Sequence, residues 1–150
     1  MTVYLDTSAL VKRYVREPGT VRMLALWEGA DHLATSRLTY AETVCAFRRK
    51  ARTEPRTRAS LDKALADFER DWSTLAIVEL TPVLEPSIRR LAERYALRGA
   101  DCVHLASCLE LARRIGESVI FACWDEDLSH AARAEGCEVS HVTPGSEPAS

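Results

Sequence analysis

The sequence predicts an α/β fold, a three-layer sandwich in which a mainly parallel sheet of about five short strands lies between helices. Short apolar runs alternate along the chain with longer segments of helical periodicity. The length of 150 residues, with 47% hydrophobic and 28% charged residues, suits one globular core. We therefore expect one domain over residues 1–143 and a flexible, Pro- and Ser-rich tail over residues 144–150.

Five short segments rich in Val, Ile or Leu are the predicted strands. They are residues 3–6, 32–35, 76–80, 119–123 and 138–142. Longer segments with apolar residues at helical spacing separate them, as expected for strands joined by helical crossovers.

The clearest predicted helix covers residues 82–97, where Leu84, Ile88, Leu91 and Tyr95 recur on one face. A second helix begins near Asp101 and ends at Gly116, so that Asp101 lies at a helix N-terminus. Further helices are predicted over residues 8–16, 21–28, 39–52, 59–75 and 128–135.

Composition limits the classes of protein that fit. The formal net charge of −2 argues against a protein that binds polyanions through bulk charge, so any nucleic-acid contact is expected to be local. The five cysteines are odd in number and form no C-x-x-C pair, which favours the reducing cytoplasm over a disulfide framework or a zinc site. The first residues do not resemble a targeting peptide, and no apolar run reaches the roughly 20 residues of a membrane span.

Four acidic residues are expected at one edge of the sheet. Asp6 ends the first strand and Asp125 follows the fourth, and ligands of open α/β sheets bind at the carboxyl ends of the strands. Asp101, at the tip of its helix, and Glu42, early in the helix after the second strand, can reach the same edge. Such oxygen ligands suit Mg²⁺ or Mn²⁺ better than zinc.

Each acid also has an ordinary structural explanation. Asp6 and Asp125 stand where a helix cap or turn residue is common, and an acid near a helix start, such as Asp101 or Glu42, is favoured by the helix dipole. The combination is more informative than its members, because four clustered carboxylates repel one another unless a cation holds them together.

Four segments together resemble the signature regions of PIN domains, and in particular the VapC-type toxins of prokaryotic toxin–antitoxin modules. They are Val3–Lys12 (VYLDTSALVK), Thr39–Glu42 (TYAE), Gly99–Ala106 (GADCVHLA) and Trp124–Leu128 (WDEDL). The resemblance covers nearly the whole chain in order and spacing, and it is specific as a set although each segment alone is weak.

The resemblance implies a flap-endonuclease-like fold and a Mg²⁺- or Mn²⁺-dependent endoribonuclease whose acidic quartet is Asp6, Glu42, Asp101 and Asp125. In that assignment Ser8 steadies bound water or metal, and Asp127 is either a fifth acid or a substitute for Asp125. The chain departs from the family at Cys123, where Thr or Ser is usual, which puts a supporting hydrogen bond in doubt.

The same resemblance implies an activity and partners. Attack of water on phosphorus would leave a 5′-phosphate and a 3′-hydroxyl, with the metal lowering the pKa of that water. The implied partners are an RNA substrate, a cognate VapB-like antitoxin that presents a peptide near the acids, and a second copy of the chain in a homodimer.

Two other features have competing interpretations. A basic stretch is the best candidate for phosphate contact, although cations near a helix C-terminus are also favoured by the dipole. It consists of Arg48, Arg49, Lys50, Arg52, Arg56 and Arg58. His104, three residues after Asp101, is interpreted as a hydrogen-bonded, half-buried residue outside the site.

Two rival classes remain. A phosphatase with an aspartyl nucleophile needs a second Asp two residues after the first, where this chain has Ser8. A PIN-like module that binds RNA or protein without catalysis would keep the fold and lack the metal chemistry. The presence of all four acids argues against that module, and dependence on Mg²⁺ would discriminate.

Overall fold

The computed structural model describes residues 1–140. The predicted tail over residues 144–150 and the last two residues of the predicted strand 138–142 lie outside this range. Strands are β1 (Thr2–Leu5), β2 (His32–Ser36), β3 (Ala76–Val78), β4 (Val119–Ala122) and β5 (Glu138–Ser140). Helices are α1 (Thr7–Val11), α2 (Thr20–Gly29), α3 (Leu38–Thr53), α4 (Arg58–Trp72), α5 (Glu85–Arg94), α6 (Gly99–Ile115) and α7 (Glu126–Ala134).

The five strands form one sheet in the order β3-β2-β1-β4-β5, and every neighbouring pair is parallel. The chain first builds outward from β1 through β2 to β3, then returns to place β4 and β5 on the other side of β1. The order therefore reverses between β1 and β4. In open α/β sheets the crevice at such a reversal, outside the carboxyl ends of the strands, is where ligands bind.

The sheet is covered on both faces, which confirms the predicted three-layer arrangement. Alternate residues of β1 point to opposite faces of the sheet. Tyr4 packs on one face with Leu105 of α6 and Leu128 of α7, whereas Val3 and Leu5 belong to the core on the other face, with residues of α1, α2 and α4. Because both faces are buried, the central strands β1 and β4 are apolar except at Thr2 and lack a polar alternation.

Helices α3 and α4 form a hairpin with a small core of its own, made of Phe47, Ala51, Leu61 and Ala64. A 3₁₀ turn at Pro55–Thr57 joins the two helices. The hairpin thus places the end of α3 beside the start of α4.

Three predicted helices are longer than the helices in the structure, and one of them, residues 59–75, is helical only to Trp72. Residues 8–16 are helical only to Val11, after which Arg13 and Tyr14 make three-residue turns to Leu10 and Val11. The segment 82–97 divides into a 3₁₀ turn at Pro82–Leu84 and α5, which ends before Tyr95 because Tyr95 is extended and directs its hydroxyl to Glu135. No helix within residues 1–140 has the length and apolarity that crossing a membrane requires.

Candidate active site

Asp6 lies directly after β1, at the reversal point of the sheet, and is only 5% exposed. Its Oδ1 atom accepts hydrogen bonds from the backbone N–H of Ala9 and the hydroxyl of Ser8, both at 2.8 Å. Asp6 is therefore the N-cap of α1, as its ordinary explanation requires, and it is also a buried carboxyl group. Burial raises its pKa above the usual value, and the nearby charge of Asp101 acts in the same direction.

Asp101 and Asp125 extend this group of acids. Asp101 stands in the first turn of α6, half-buried, and its pKa is raised first by burial and then by the charge of Asp125. Asp125 is exposed and caps α7 through a 2.8 Å hydrogen bond from the N–H of Leu128 to its Oδ1. The three carboxyl groups thus influence one another, as expected of side chains near the ends of β1 and β4.

Glu42 approaches the same region from α3, where it is half-buried, and two donors hold one of its oxygens. The Thr7 hydroxyl donates to Oε1 at 2.7 Å, and Nε2 of His104 lies 2.9 Å from the same atom. The hydrogen bond with His104 is the main cause of a lowered pKa for Glu42. Glu42 is therefore kept ionised.

His104 is hydrogen-bonded, as predicted, but it is fully buried instead of half-buried, and its partner is one of the predicted site acids. Its Nδ1 atom lies 3.0 Å from the Tyr4 hydroxyl, and the charge of its protonated form lowers the pKa of both Asp6 and Glu42. The prediction that His104 stands apart from the acids is thus too simple: its position in α6 gives no sign that Glu42, 62 residues earlier, packs against it.

Thr7 is the residue that sequence reasoning missed. Its hydroxyl bonds Glu42 and lies 3.2 Å from Nε2 of His104, so it connects the start of α1 with α3 and α6. The available signal was its place between Asp6 and Ser8 in the first signature segment.

Asp127 and Cys123 are the two other residues near Asp125 that the resemblance singled out. Asp127 is exposed in the first turn of α7 and makes no side-chain hydrogen bond or ion pair within the described part of the chain. Cys123 replaces the usual hydroxyl with a thiol that lies 3.0 Å from the Ser129 hydroxyl and 3.7 Å from the carbonyl of Asp125. A polar contact at this position is therefore retained.

The donor atoms fit a hard divalent cation, although they do not form a complete cage. Within residues 1–140, no three acidic, histidine or cysteine side chains lie close enough together to hold a metal ion between them. Mg²⁺ keeps several waters and commonly binds through one or two carboxylates, so a complete cage is not required. Burial and, to a smaller extent, a neighbouring acid raise the pKa of Asp6 and of Asp101, and a cation bound nearby would favour their ionised forms.

The fold and these acids together define a doubly wound α/β protein with an acidic site at the reversal point of its sheet. Residues 3–134 match the PIN domain family. Ribonuclease VapC45 of Mycobacterium tuberculosis is 41% identical over 138 residues, covering 92% of this chain and 94% of its own length. The chain belongs to the PIN domain family, in its VapC group.

Solved structures support the same fold. Mycobacterium tuberculosis VapC20, described as a sarcin–ricin loop cleaving toxin, matches with a TM-score of 0.60 at 19% identity, over 86% of this chain and 94% of that one. A toxin–antitoxin complex from Klebsiella pneumoniae matches with a TM-score of 0.53 at 22% identity, over 85% of this chain and 90% of that one.

Proposed function

We propose that this protein is a Mg²⁺- or Mn²⁺-dependent endoribonuclease and the toxin of a VapBC-type pair, which cleaves cellular RNA and so arrests growth. The observation that carries the proposal is the carboxyl group of Asp6 at the reversal point, whose pKa is raised by burial and, to a smaller extent, by the charge of Asp101. The 41% identity to a VapC ribonuclease supports the choice of RNA as substrate.

In this proposal the acidic quartet of Asp6, Glu42, Asp101 and Asp125 would hold the metal, one or two of them directly and the others through its waters. Ser8 supports Asp6 through its hydrogen bond. We keep Asp127 outside the quartet because it is exposed and makes no contact with the other acids in the described structure. When bound, the metal supplies positive charge that withdraws electrons from the scissile phosphate.

The protein's own groups prepare the attacking water. Oε1 of Glu42 is occupied by Thr7 and His104, which leaves Oε2 to accept a hydrogen bond from water. Its lowered pKa keeps Glu42 in the ionised, accepting form. As the water oxygen bonds to phosphorus, the P–O3′ bond breaks. The water releases one proton to solvent and O3′ takes one from solvent, which gives a 3′-hydroxyl and a 5′-phosphate.

Two partners and a compartment belong to the same proposal. The Klebsiella match is a toxin–antitoxin complex, which supports a cognate VapB-like antitoxin for this chain, and we expect a homodimer as its assembly. All five cysteines are free in the structure, which agrees with a reducing cytoplasm.

The test is cleavage of a labelled small-RNA pool by the purified, antitoxin-free chain with Mg²⁺, Mn²⁺ or excess chelator. Asp6→Asn should abolish discrete cuts, while Asp67→Asn, an isosteric change at a partly exposed position of α4, should leave them unchanged. Asn can still accept the hydrogen bond from Ala9, and it removes a buried charge, so Asp6→Asn should melt in chelator at or above the wild-type temperature. Cleavage that survives in chelator or in Asp6→Asn would refute the proposal. If the folded wild-type chain never cuts RNA, the remaining interpretation is a PIN-like module that binds RNA or protein without catalysis.

A further inference from the structure

The tip of the α3–α4 hairpin contains a pocket that the proposed catalytic residues do not use. It encloses about 360 Å³ and is lined by Arg48, Ala51, Arg52, Arg58 and Asp62. We call it the arginine pocket. The turn at Pro55–Thr57 brings Arg58, the first residue of α4, next to the last turns of α3, so three guanidinium groups that are separated in sequence line one cavity.

The charges of the pocket are not balanced within the described structure. Arg48 is paired with Asp62, with Nη1 and Oδ1 2.5 Å apart. Neither Arg52 nor Arg58 makes an ion pair or a side-chain hydrogen bond with any residue between 1 and 140. The cavity therefore has three cations and one carboxylate, and two of its guanidinium groups remain available to an anion.

Helix stability explains only part of this arrangement. Arg52 lies in the last turn of α3, where a cation is favourable beside the helix dipole. Arg58 is at the opposite kind of position, the N-terminus of α4, where the dipole disfavours a cation, and no acid stands in that first turn to compensate. Local helix stability does not explain an arginine at position 58, whereas binding of an anion does.

A path of positive charge connects the pocket with the proposed site. Arg49 lies seven residues after Glu42 and hence on nearly the same face of α3, while Arg52 neighbours Arg49 one turn further on. Arg49 is exposed and has no ion-pair partner among residues 1–140. At 1.5 Å per residue, Glu42 and Arg52 are about 15 Å apart along the helix axis. A single strand of a few nucleotides can span this distance.

We propose that the arginine pocket binds a backbone phosphate of the RNA, a few nucleotides away from the phosphate that is cleaved. The inference rests on the proposed function in taking RNA as the ligand. Guanidinium groups suit phosphate because their paired N–H donors match two of its oxygens. Contacts to phosphate give affinity without reading the bases, so the pocket contributes to RNA binding in general and leaves the choice of cleavage sequence to other surfaces.

The test measures binding alone, in the cleavage-deficient Asp6→Asn background and in chelator. A fluorescein-labelled single-stranded RNA of about 20 nucleotides is titrated by fluorescence anisotropy at several salt concentrations. Adding Arg52→Gln and Arg58→Gln should weaken binding about tenfold and reduce the slope of log K against log salt by about 0.7, because the contact with one phosphate is lost. Replacing both by Lys should recover part of the affinity.

The matched control is the pair Arg22→Gln and Arg133→Gln, two exposed arginines on α2 and α7 without ion-pair partners in the described residues. It removes the same net charge and should change binding less than twofold. Equal losses of affinity in the two double variants would indicate an effect of bulk charge and refute the pocket. Unchanged RNA binding in the variant that combines Arg52→Gln and Arg58→Gln would also refute it. The same variants are also titrated with a labelled poly-glutamate peptide. If the variant that combines Arg52→Gln and Arg58→Gln loses binding to this peptide but keeps its affinity for RNA, the pocket binds an acidic protein segment and the proposal is overturned.

The two proposals fail separately. A wild-type chain that cuts no RNA, yet binds it through Arg52 and Arg58, refutes only the ribonuclease. A chain that cuts RNA and whose arginine variants bind like the control refutes only the pocket.

Discussion

Nε2 of His104 lies 2.9 Å from Oε1 of Glu42, and this contact joins α6 to α3 at the edge of the acidic site. Burial raises the pKa of Tyr4 well above its ordinary value, so its hydroxyl stays protonated and can donate to Nδ1 of His104. The ionised Glu42 carboxylate can only accept, so in the neutral imidazole the hydrogen resides on Nε2 and is donated to Glu42, while Nδ1 accepts from Tyr4. The tyrosine and the glutamate together thus fix the orientation and the tautomer of the histidine.

Replacing His104 should affect catalysis as well as stability. His104→Ala leaves the buried Tyr4 hydroxyl without its acceptor and should lower the free energy of unfolding by about 2–3 kcal/mol, measured in urea. Glu42 would lose one of its two donors, so kcat for RNA cleavage should fall about 10- to 100-fold with a smaller change in KM. His104→Gln, which retains an N–H donor, should restore part of kcat. A stability loss with unchanged kcat would mean that His104 has a structural role only.

Gly19 should not tolerate a side chain. It precedes α2 with φ of +94°, and a Cβ atom there would lie 2.6 Å from Nε1 of Trp124, the residue before Asp125. Gly19→Ala should lower the free energy of unfolding by at least about 2 kcal/mol, since strain and overlap add. Gly29→Ala, at the end of α2, meets only Cε of Met1 at 3.6 Å and should be neutral or stabilising by up to about 1 kcal/mol. Similar melting curves for the two variants would contradict this account.

The cysteines should differ sharply in reactivity. Cys45 is exposed, whereas Cys123 is 2% exposed and burial raises the pKa of its thiol to about 12. At pH 8 only about one Cys123 in 10⁴ is then the reactive thiolate. Iodoacetamide should modify Cys45 in the folded protein and Cys123 only after unfolding, as read by peptide mass spectrometry. Equal labelling rates in the folded state would show that the end of β4 opens readily.

Acid should weaken the C-terminal end of α6. Hydrogen bonds from Arg113 and then Arg114 lower the pKa of Glu110 to about 2 from an ordinary 4.5. Because the folded pKa is the lower one, the carboxylate stabilises the fold above pH 4.5, and this contribution is lost as pH falls from 4.5 towards 2. The difference in free energy of unfolding between wild type and Glu110→Gln should therefore be largest at pH 7 and vanish near pH 2. The exposed Glu117→Gln serves as control, and a pH-independent difference for Glu110→Gln would contradict the assignment.

The strands and helices were predictable because their signals are local. Strands β1, β3 and β4 are mainly apolar runs, and the structure forms a strand at each of the five predicted segments within the described range. The errors fall where a tertiary contact decides: Tyr95 leaves α5 to reach Glu135, a partner 40 residues later that periodicity cannot reveal.

The candidate site was predictable in its acids and not in their connections. Asp6 and Asp125 are recognisable because each follows a strand, and the structure positions them after β1 and β4. Sequence reasoning did not assign Thr7 and His104 to the candidate site, because a threonine after an aspartate and a histidine within an apolar helix both have ordinary structural explanations. Only the packing of α6 and α3 around β1 brings them to Glu42.

The sequence by itself determined the fold class, the order of the elements and the family, since alternating periodicities and four spaced segments survive without knowledge of distances. The tertiary structure alone decided which groups act on one another: the strand order that sets Asp6 beside the end of β4, the Tyr4–His104–Glu42 connection, and the hairpin that gathers Arg48, Arg52 and Arg58. The physical reason is that patterns of periodicity report on neighbours along the chain, whereas charge interactions and hydrogen bonds depend on separations in space that only packing fixes.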